Sequence, residues 1–242
     1  GYQVEWATLA ASDYGTPTSR ERLFVIARND GEEIVWPEAT HGDIEDGLEP
    51  ILPASGCIQW DLMGFDVSTR KLAAKTLERI ELGTEEFIRD ADKRCVVRLP
   101  DGRLAAAWIA RHYGGVVGRS ANEPLPTVTK VDHHGLVVTE LLPQSAGSSS
   151  ADDIVHEGER YTLGRTTHRM LQPRELANAM GFGPGYQMIG TKRDQTARVG
   201  NAVCPPLAAA LVSANYAPDH GALAQGRIQG GFDLVDAEEG VA

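Results

Sequence analysis

The sequence predicts an α/β fold, and three observations carry that expectation. Residues 23–27 read Leu-Phe-Val-Ile-Ala, a continuous apolar run of strand length, which suits a central strand buried on both faces of a parallel sheet. Residues 95–99 and 104–109 flank Pro100-Asp101-Gly102, the pattern of a β-hairpin. Residues 173–180 open on a proline and are followed by Gly181. A proline in the first helical turn removes only an N–H that has no partner there, and a glycine is the usual residue just past a helix end.

The remaining elements follow in chain order. Residues 2–9 alternate and are aromatic-rich, which reads as a strand. Asp13, Gly15 and Pro17 mark a loop before the 23–27 run, and Asp30-Gly31 ends that run. Residues 32–53 are acidic with scattered Gly and Pro and read as a surface linker. In 72–88, Leu77, Ile80, Phe87 and Ile88 fit a helical stripe, with Gly83 as an interruption. Beyond the hairpin, 114–121 is glycine-rich and loop-like, 135–142 is a further strand, and 144–153 is a Ser/Gly-rich loop. Leu176, Ala177 and Met180 share one face of the helix at 173–180, and the alanine-rich stretch from Pro205 to Asn215 is a last helix. After residue 217 the chain is rich in Gly, Ala and acids without periodicity, which predicts disorder.

Composition bounds the function. A chain of 242 residues with 42 % hydrophobic and 24 % charged residues has the make-up of a globular protein with one or two cores. No apolar run reaches membrane-spanning length, so a cytoplasmic protein is expected. Cys57, Cys95 and Cys204 are far apart and unpaired in spacing, which argues against a disulfide framework or a zinc site. His133 and His134 are adjacent and would face opposite sides of a strand, so no metal is expected. The net charge of −11 is unevenly spread: residues 29–69 hold ten acids and no Lys or Arg, and residues 217–242 carry −4. The rest of the chain is net positive, and residues 165–198 hold six basic residues against Glu175 and Asp194. A basic face on an acidic chain is compatible with phosphate contact, because such contact is local.

Three segments carry a more specific signal. The first is DYGTPTSRERLFVIA at 13–27, with Arg20 and Arg22 before the apolar strand. The second is RMLQPRELANAMGF at 169–182, and the third is QTARVGNAVCPPLAAAL at 195–211. In this order and at these intervals they resemble the closing motifs of DNA (cytosine-5) methyltransferases, with Thr18 where glutamine is usual. EPLPTVT at 123–129 resembles the Thr-hydrophobic dipeptide of that family's target-recognition domain, at Thr127-Val128.

The resemblance implies the C-terminal part of a Rossmann-like methyltransferase sheet with an inserted small β-rich target-recognition domain. It divides the chain into 1–31 as the end of the catalytic α/β domain, 32–164 as the recognition region, 165–216 as the return to the catalytic domain, and 217–242 as a tail. It implies S-adenosylmethionine as cofactor and double-stranded DNA as partner, in a restriction-modification setting. In the family a flipped cytosine is attacked at C6 by a cysteine thiolate, a glutamate serves N3, and the methyl group passes to C5. Arg22 then takes the place of the arginine that hydrogen-bonds the O2 carbonyl as charge builds there. Arg20 supports the pocket. Asn201, Ala202 and Val203 become candidates for cofactor contact, at a helix N-terminus whose free N–H groups would suit a polar ligand, or Asn201 simply caps that helix. Thr127, Val128, Arg169 and Arg174 are the expected DNA-binding residues, with loop-to-strand packing the other reading of Thr127-Val128. Arg174 and Glu175 are also candidates for a structural ion pair.

The family's Pro-Cys, Glu-Asn-Val and Phe-x-Gly-x-Gly motifs do not occur in this sequence. Cys57 is preceded by Gly56 and lies in the recognition region, so it is not expected to be the nucleophile. The chain is therefore expected to act only with a missing N-terminal catalytic part, in cis or as a second subunit. A non-catalytic DNA-binding remnant or specificity module is the alternative.

Overall fold

The alternating segment at the start forms β1 (Gln3–Ala10), which pairs antiparallel with β2 (Glu21–Arg28) in a two-stranded sheet. A computed structural model describes residues 1–113, 115–144 and 153–216; the tail expected beyond residue 217 and most of the Ser/Gly-rich loop lie outside them. The apolar run is thus a strand, but its one neighbour among the described residues is antiparallel β1, and one of its faces is open. On that face Trp6, Leu23 and Val25 are 70 %, 62 % and 60 % exposed, with Val4 beside them. The other face, with Leu9 and Phe24, packs on the main core.

The acidic stretch holds only two short strands, β3 (His41–Gly42) and β4 (Glu49–Pro50), which pair with each other. The middle of the chain then builds one antiparallel sheet of seven strands. Its members begin with β5 (Phe65–Asp66). Helix α1 (Ala74–Thr84) continues through a wider turn at Glu85–Arg89. The hairpin follows as β6 (Cys95–Arg98) and β7 (Leu104–Arg111), then β8 (Gly118–Ser120), β9 (His134–Pro143), β10 (Ile154–His156) and β11 (Glu159–Met170). The main path runs β10-β11-β9-β7-β6, with β5 on β11 and β8 on β7. The glycine-rich segment read as a loop therefore contains a strand. Strand β11 crosses the expected boundary between residues 164 and 165.

Strand β7 explains how the sheet is held. Its alternate residues face two cores: Ala107 and Ile109 enter one, Ala106, Trp108 and Ala110 the other. The second core is closed by Ile80, Phe87 and Ile88 from the α1 segment. Gly83 is a contact point there rather than an interruption, because a Cβ at that position would overlap the Trp108 indole. The first core continues through Leu125, Val128 and Leu136 into the C-terminal helices. Those are α2 (Pro173–Ala179), α3 (Lys192–Asn201) and α4 (Pro205–Asn215).

Two histidines, His112 just past β7 and His168 in β11, are expected to give the fold a pH dependence. His112 and His168 approach with Nε2 atoms 3.1 Å apart, so one ring donates and the other, which must be neutral, accepts. Burial, with His112 adding to it, pulls the His168 pKa down to about 4, and burial with Arg79 lowers that of His112. An unfolded histidine titrates near ~6.5. Because the folded value lies below that, the contribution of His168 is complete above about pH 6.5 and is lost as pH falls toward 4. The melting temperature is expected to fall between pH 6.5 and 5, above the carboxylate range, and His168→Gln should flatten that fall. An equal slope in the variant would rule the pair out as its source.

Candidate functional site

The first motif is fastened to the middle of the chain before β2 begins. Residues 11–14 form a tight turn, and the backbone then runs beside Leu125. Thr18 Oγ1 donates to the Leu125 carbonyl at 2.8 Å, Ser19 N donates to the same oxygen at 2.9 Å, and Leu125 N donates to the Pro17 carbonyl at 2.9 Å. Arg20 is buried and donates to the Val128 carbonyl at 2.7 Å. Burial, then repulsion from Arg22, lowers the Arg20 pKa. Burying a guanidinium is costly unless acceptors receive its N–H groups; the Val128 carbonyl receives one of them, and Nε has no partner among the described residues. Arg20 is thus a strut between the first motif and the segment carrying Thr127-Val128.

That geometry divides the expected DNA contacts. Val128 is fully buried in the core, so its side chain is a packing residue and not a DNA contact. Thr127 is half-buried beside it. Arg22 is exposed on β2 and donates to its neighbour's carbonyl, that of Glu21. It has no carboxylate partner among the described residues.

The second motif holds a buried ion pair that the sequence did not disclose. Glu175 is fully buried in the first turn of α2. Arg169 donates to both of its carboxylate oxygens at 2.7 Å, and also to the Leu62 and Gln59 carbonyls. Gln59 N and Gln172 N donate to the same carboxylate at 2.9 and 2.7 Å. This corrects two expectations. Arg169 is not a DNA-binding residue, since its guanidinium is spent inside the fold. Glu175 does not pair with Arg174, because consecutive helical positions point in different directions. Arg174 donates instead to the Gly183 and Tyr186 carbonyls and ties down the loop after α2.

The third motif meets the other two. Gly181, in the left-handed region at φ +80°, lies against Pro206 and Thr16: a Cβ there would stand 2.7 Å from the proline Cδ and 3.5 Å from the threonine methyl. Cys204 Sγ rests 3.7 Å from Met180 Sδ. Gly200 faces the Thr129–Lys130 backbone so closely that any Cβ would overlap it. Helix α3 was not anticipated, and it changes the reading of Asn201. Asn201 ends α3 and Cys204 is the N-cap of α4, so Asn201 does not cap the last helix. Pro205 and Pro206 lack N–H groups, which removes two of the four free donors expected at that helix start. Asn201 and Val203 are exposed and Ala202 is half-buried.

None of the three cysteines has the character of a nucleophile. Cys57 is buried with its thiol donating to the Ala54 carbonyl, and burial plus the Glu175 carboxylate push its pKa up to about 12. Burial raises Cys95 and Cys204 to about 11, in the latter case despite the nearby Arg20 and Arg22. A thiol at such values carries almost no thiolate at neutral pH. Among the described residues no group of three or more His, Cys, Asp or Glu side chains could hold a metal ion, and no helix is long and apolar enough to cross a membrane.

Comparison with known proteins adds an independent line. The chain is similar to the Type II methyltransferase M1.HphI of Haemophilus parahaemolyticus, 25 % identical over 220 residues, which are 88 % of this chain and 48 % of that protein. It is 48 % identical over 52 residues to the Type II methyltransferase M.BspRI of Lysinibacillus sphaericus, covering 21 % of this chain and 12 % of that protein. The crystal structure of the S. pombe Dnmt2 methyltransferase aligns with a TM-score of 0.39 and 14 % identity, covering 88 % of this chain and 56 % of that one. The chain spans about half the length of M1.HphI, at 48 %, and a smaller share of M.BspRI, at 12 %. The family model for C-5 cytosine-specific DNA methylases matches residues 1–216. The three motifs that converge on one junction thus fall within a single match that covers most of the sequence, and the chain belongs to the C-5 cytosine-specific DNA methylase family.

Proposed function

We propose that this chain is the C-terminal portion of an enzyme that transfers a methyl group from S-adenosylmethionine to C5 of cytosine in duplex DNA. It supplies target recognition (32–164) and the closing segments (1–31 and 165–216), and it is inactive without an N-terminal catalytic part in cis or as a second subunit. The carrying observation is the junction where Arg20, Gly181, Gly200 and Cys204 bring the three motifs and the Thr127-Val128 segment together. The names of the relatives, Type II methyltransferases, support a restriction-modification setting.

Each residue then has a task. Arg22 presents a guanidinium without a carboxylate partner, suited to hydrogen-bond the cytosine O2 as electron density shifts onto it. Arg20 fixes that region against the recognition segment. Asn201 and Val203 offer an exposed amide and an exposed isopropyl group two positions apart, which fits one wall of a site for a cofactor that is part polar and part apolar. S-adenosylmethionine, when bound, supplies the electrophilic methyl group. The open face of Val4, Trp6, Leu23 and Val25 is where the catalytic part docks, since so contiguous an apolar face marks an interaction surface.

The test is methyl incorporation into duplex DNA from labelled S-adenosylmethionine. The chain alone should give none, and joining it to a part bearing the Pro-Cys and Glu-Asn-Val motifs should restore transfer. In the restored enzyme Arg22→Ala is expected to lower kcat by about 10²–10³, whereas Cys57→Ser leaves it unchanged. Transfer by the chain alone, or its total loss in Cys57→Ser, would place the nucleophile in this chain and overturn the reading.

A further inference from the structure

Between the loop at residues 130–132, the connection from β11 to α2 and the first turns of α3 lies a cleft of about 440 Å³. Its polar lining comprises Lys130, Asp132, Gln172, Lys192, Arg193 and Thr196. Asp132 is already engaged, accepting from the backbone and ring nitrogens of His134 at 3.0 and 2.9 Å. Lys192 donates to the neutral amide oxygen of Gln172 at 2.6 Å. Asp194 stands beside Arg193, but its carboxylate accepts from Thr191 N and Oγ1 in the capping box that opens α3. None of the three cations forms an ion pair among the described residues. In a chain whose net charge is −11, this cleft has a cation on each of two walls, with Asp132 beside Lys130 as the carboxylate among its lining residues.

We propose that this cleft holds the sugar-phosphate backbone of duplex DNA, with Lys130 on one wall and Lys192 and Arg193 on the other. This deepens the function proposed above and rests on it. The cations stand on separate elements along an open cleft instead of converging on one point, which fits a line of phosphates better than a single small anion. Their placement is also fixed. The Thr129–Lys130 backbone bears directly on Gly200, so Lys130 cannot shift relative to α3 without disturbing the Gly200-Asn201-Ala202 segment. The backbone contact would therefore hold the DNA in a set position relative to Arg22 and the cofactor wall. Phosphate contacts of this kind position the duplex and carry no sequence information.

The experiment measures binding of the 242-residue chain to a labelled duplex across a salt series. Each phosphate contact contributes about 0.9 to the slope of log K against log salt. The triple variant Lys130→Ala, Lys192→Ala, Arg193→Ala should lower that slope by about 2–3 and weaken binding at low salt at least ~10-fold. The exposed α1 residue Lys75, outside the cleft, serves as control: Lys75→Ala should leave the slope unchanged. The charge-keeping variant Lys192→Arg, Arg193→Lys should bind as the wild type does, which guards against loss of fold in α3. A wild-type chain that binds duplex DNA with a slope the triple variant shares would overturn this inference alone. A wild-type chain that shows no salt-dependent duplex binding would overturn the proposed function with it.

Discussion

Glu175→Ala is expected to destabilise the chain by about 3–5 kcal/mol, the usual result of leaving one member of a buried ion pair behind. The carboxylate is fully buried, receives both arms of Arg169 and also accepts from the backbones of Gln59 and Gln172. Removing it strands a guanidinium and two N–H groups in the core at once. Urea unfolding followed by circular dichroism measures the effect, and a loss below about 1 kcal/mol would mean that water enters and satisfies the site. Replacing both partners, Arg169→Met with Glu175→Leu, should recover much of the loss, because an apolar pair leaves nothing charged unpaired. That recovery distinguishes a stranded charge from a simple loss of helix capping.

Gly200→Ala is the second large effect, at about 3 kcal/mol. The new Cβ would meet the Thr129 carbonyl group and Lys130 N, which are main-chain atoms and cannot swing aside. Helix α3 or the 129–131 segment must move. The expected signature is a lower urea midpoint together with faster protease cleavage near residue 130. An unchanged midpoint would show that α3 tolerates displacement. The Gly-Asn-Ala-Val motif thus carries a packing demand of its own, separate from any contact of Asn201 with a cofactor.

Much of the fold was legible because its signals are local. The 95–109 hairpin announced itself through one turn between two short apolar runs, and α4 matches the expected Pro205–Asn215 span to the residue. The missed elements lack such signals. Strand β11 reads Glu-Arg-Tyr-Thr-Leu-Gly-Arg-Thr-Thr-His-Arg-Met and owes its place to pairing with β9 and β5, which no local pattern records. Helix α3 is largely polar, its one buried apolar side chain being Val199, and a glycine sits near its end. In the site, Arg20 and Arg22 were singled out by their motif, but which of them is buried depends on Leu125 and Val128, about a hundred residues away in sequence. Arg169 was misread for a plainer reason: an arginine's charge does not name its partner. The partner lay six residues on in Glu175, whose spacing after Gln172 matches a capping box and could have suggested burial.

Arg20 has a consequence for anyone who would exchange recognition regions between relatives to change target choice. The proposed recognition region, residues 32–164, is not a cassette with two clean ends. It is spliced into its surroundings by the Arg20 bond to Val128, the Leu125 pairing, the Gln59 link to Glu175, and a strand that runs through the nominal 164/165 border. A chimera cut at residues 32 and 164 would inherit one side of every such bond from each parent. Grafts that take residues 17–20, Glu175 and the whole of β11 from the same parent as Leu125–Val128 and Gln59 should fold where the simpler exchange does not.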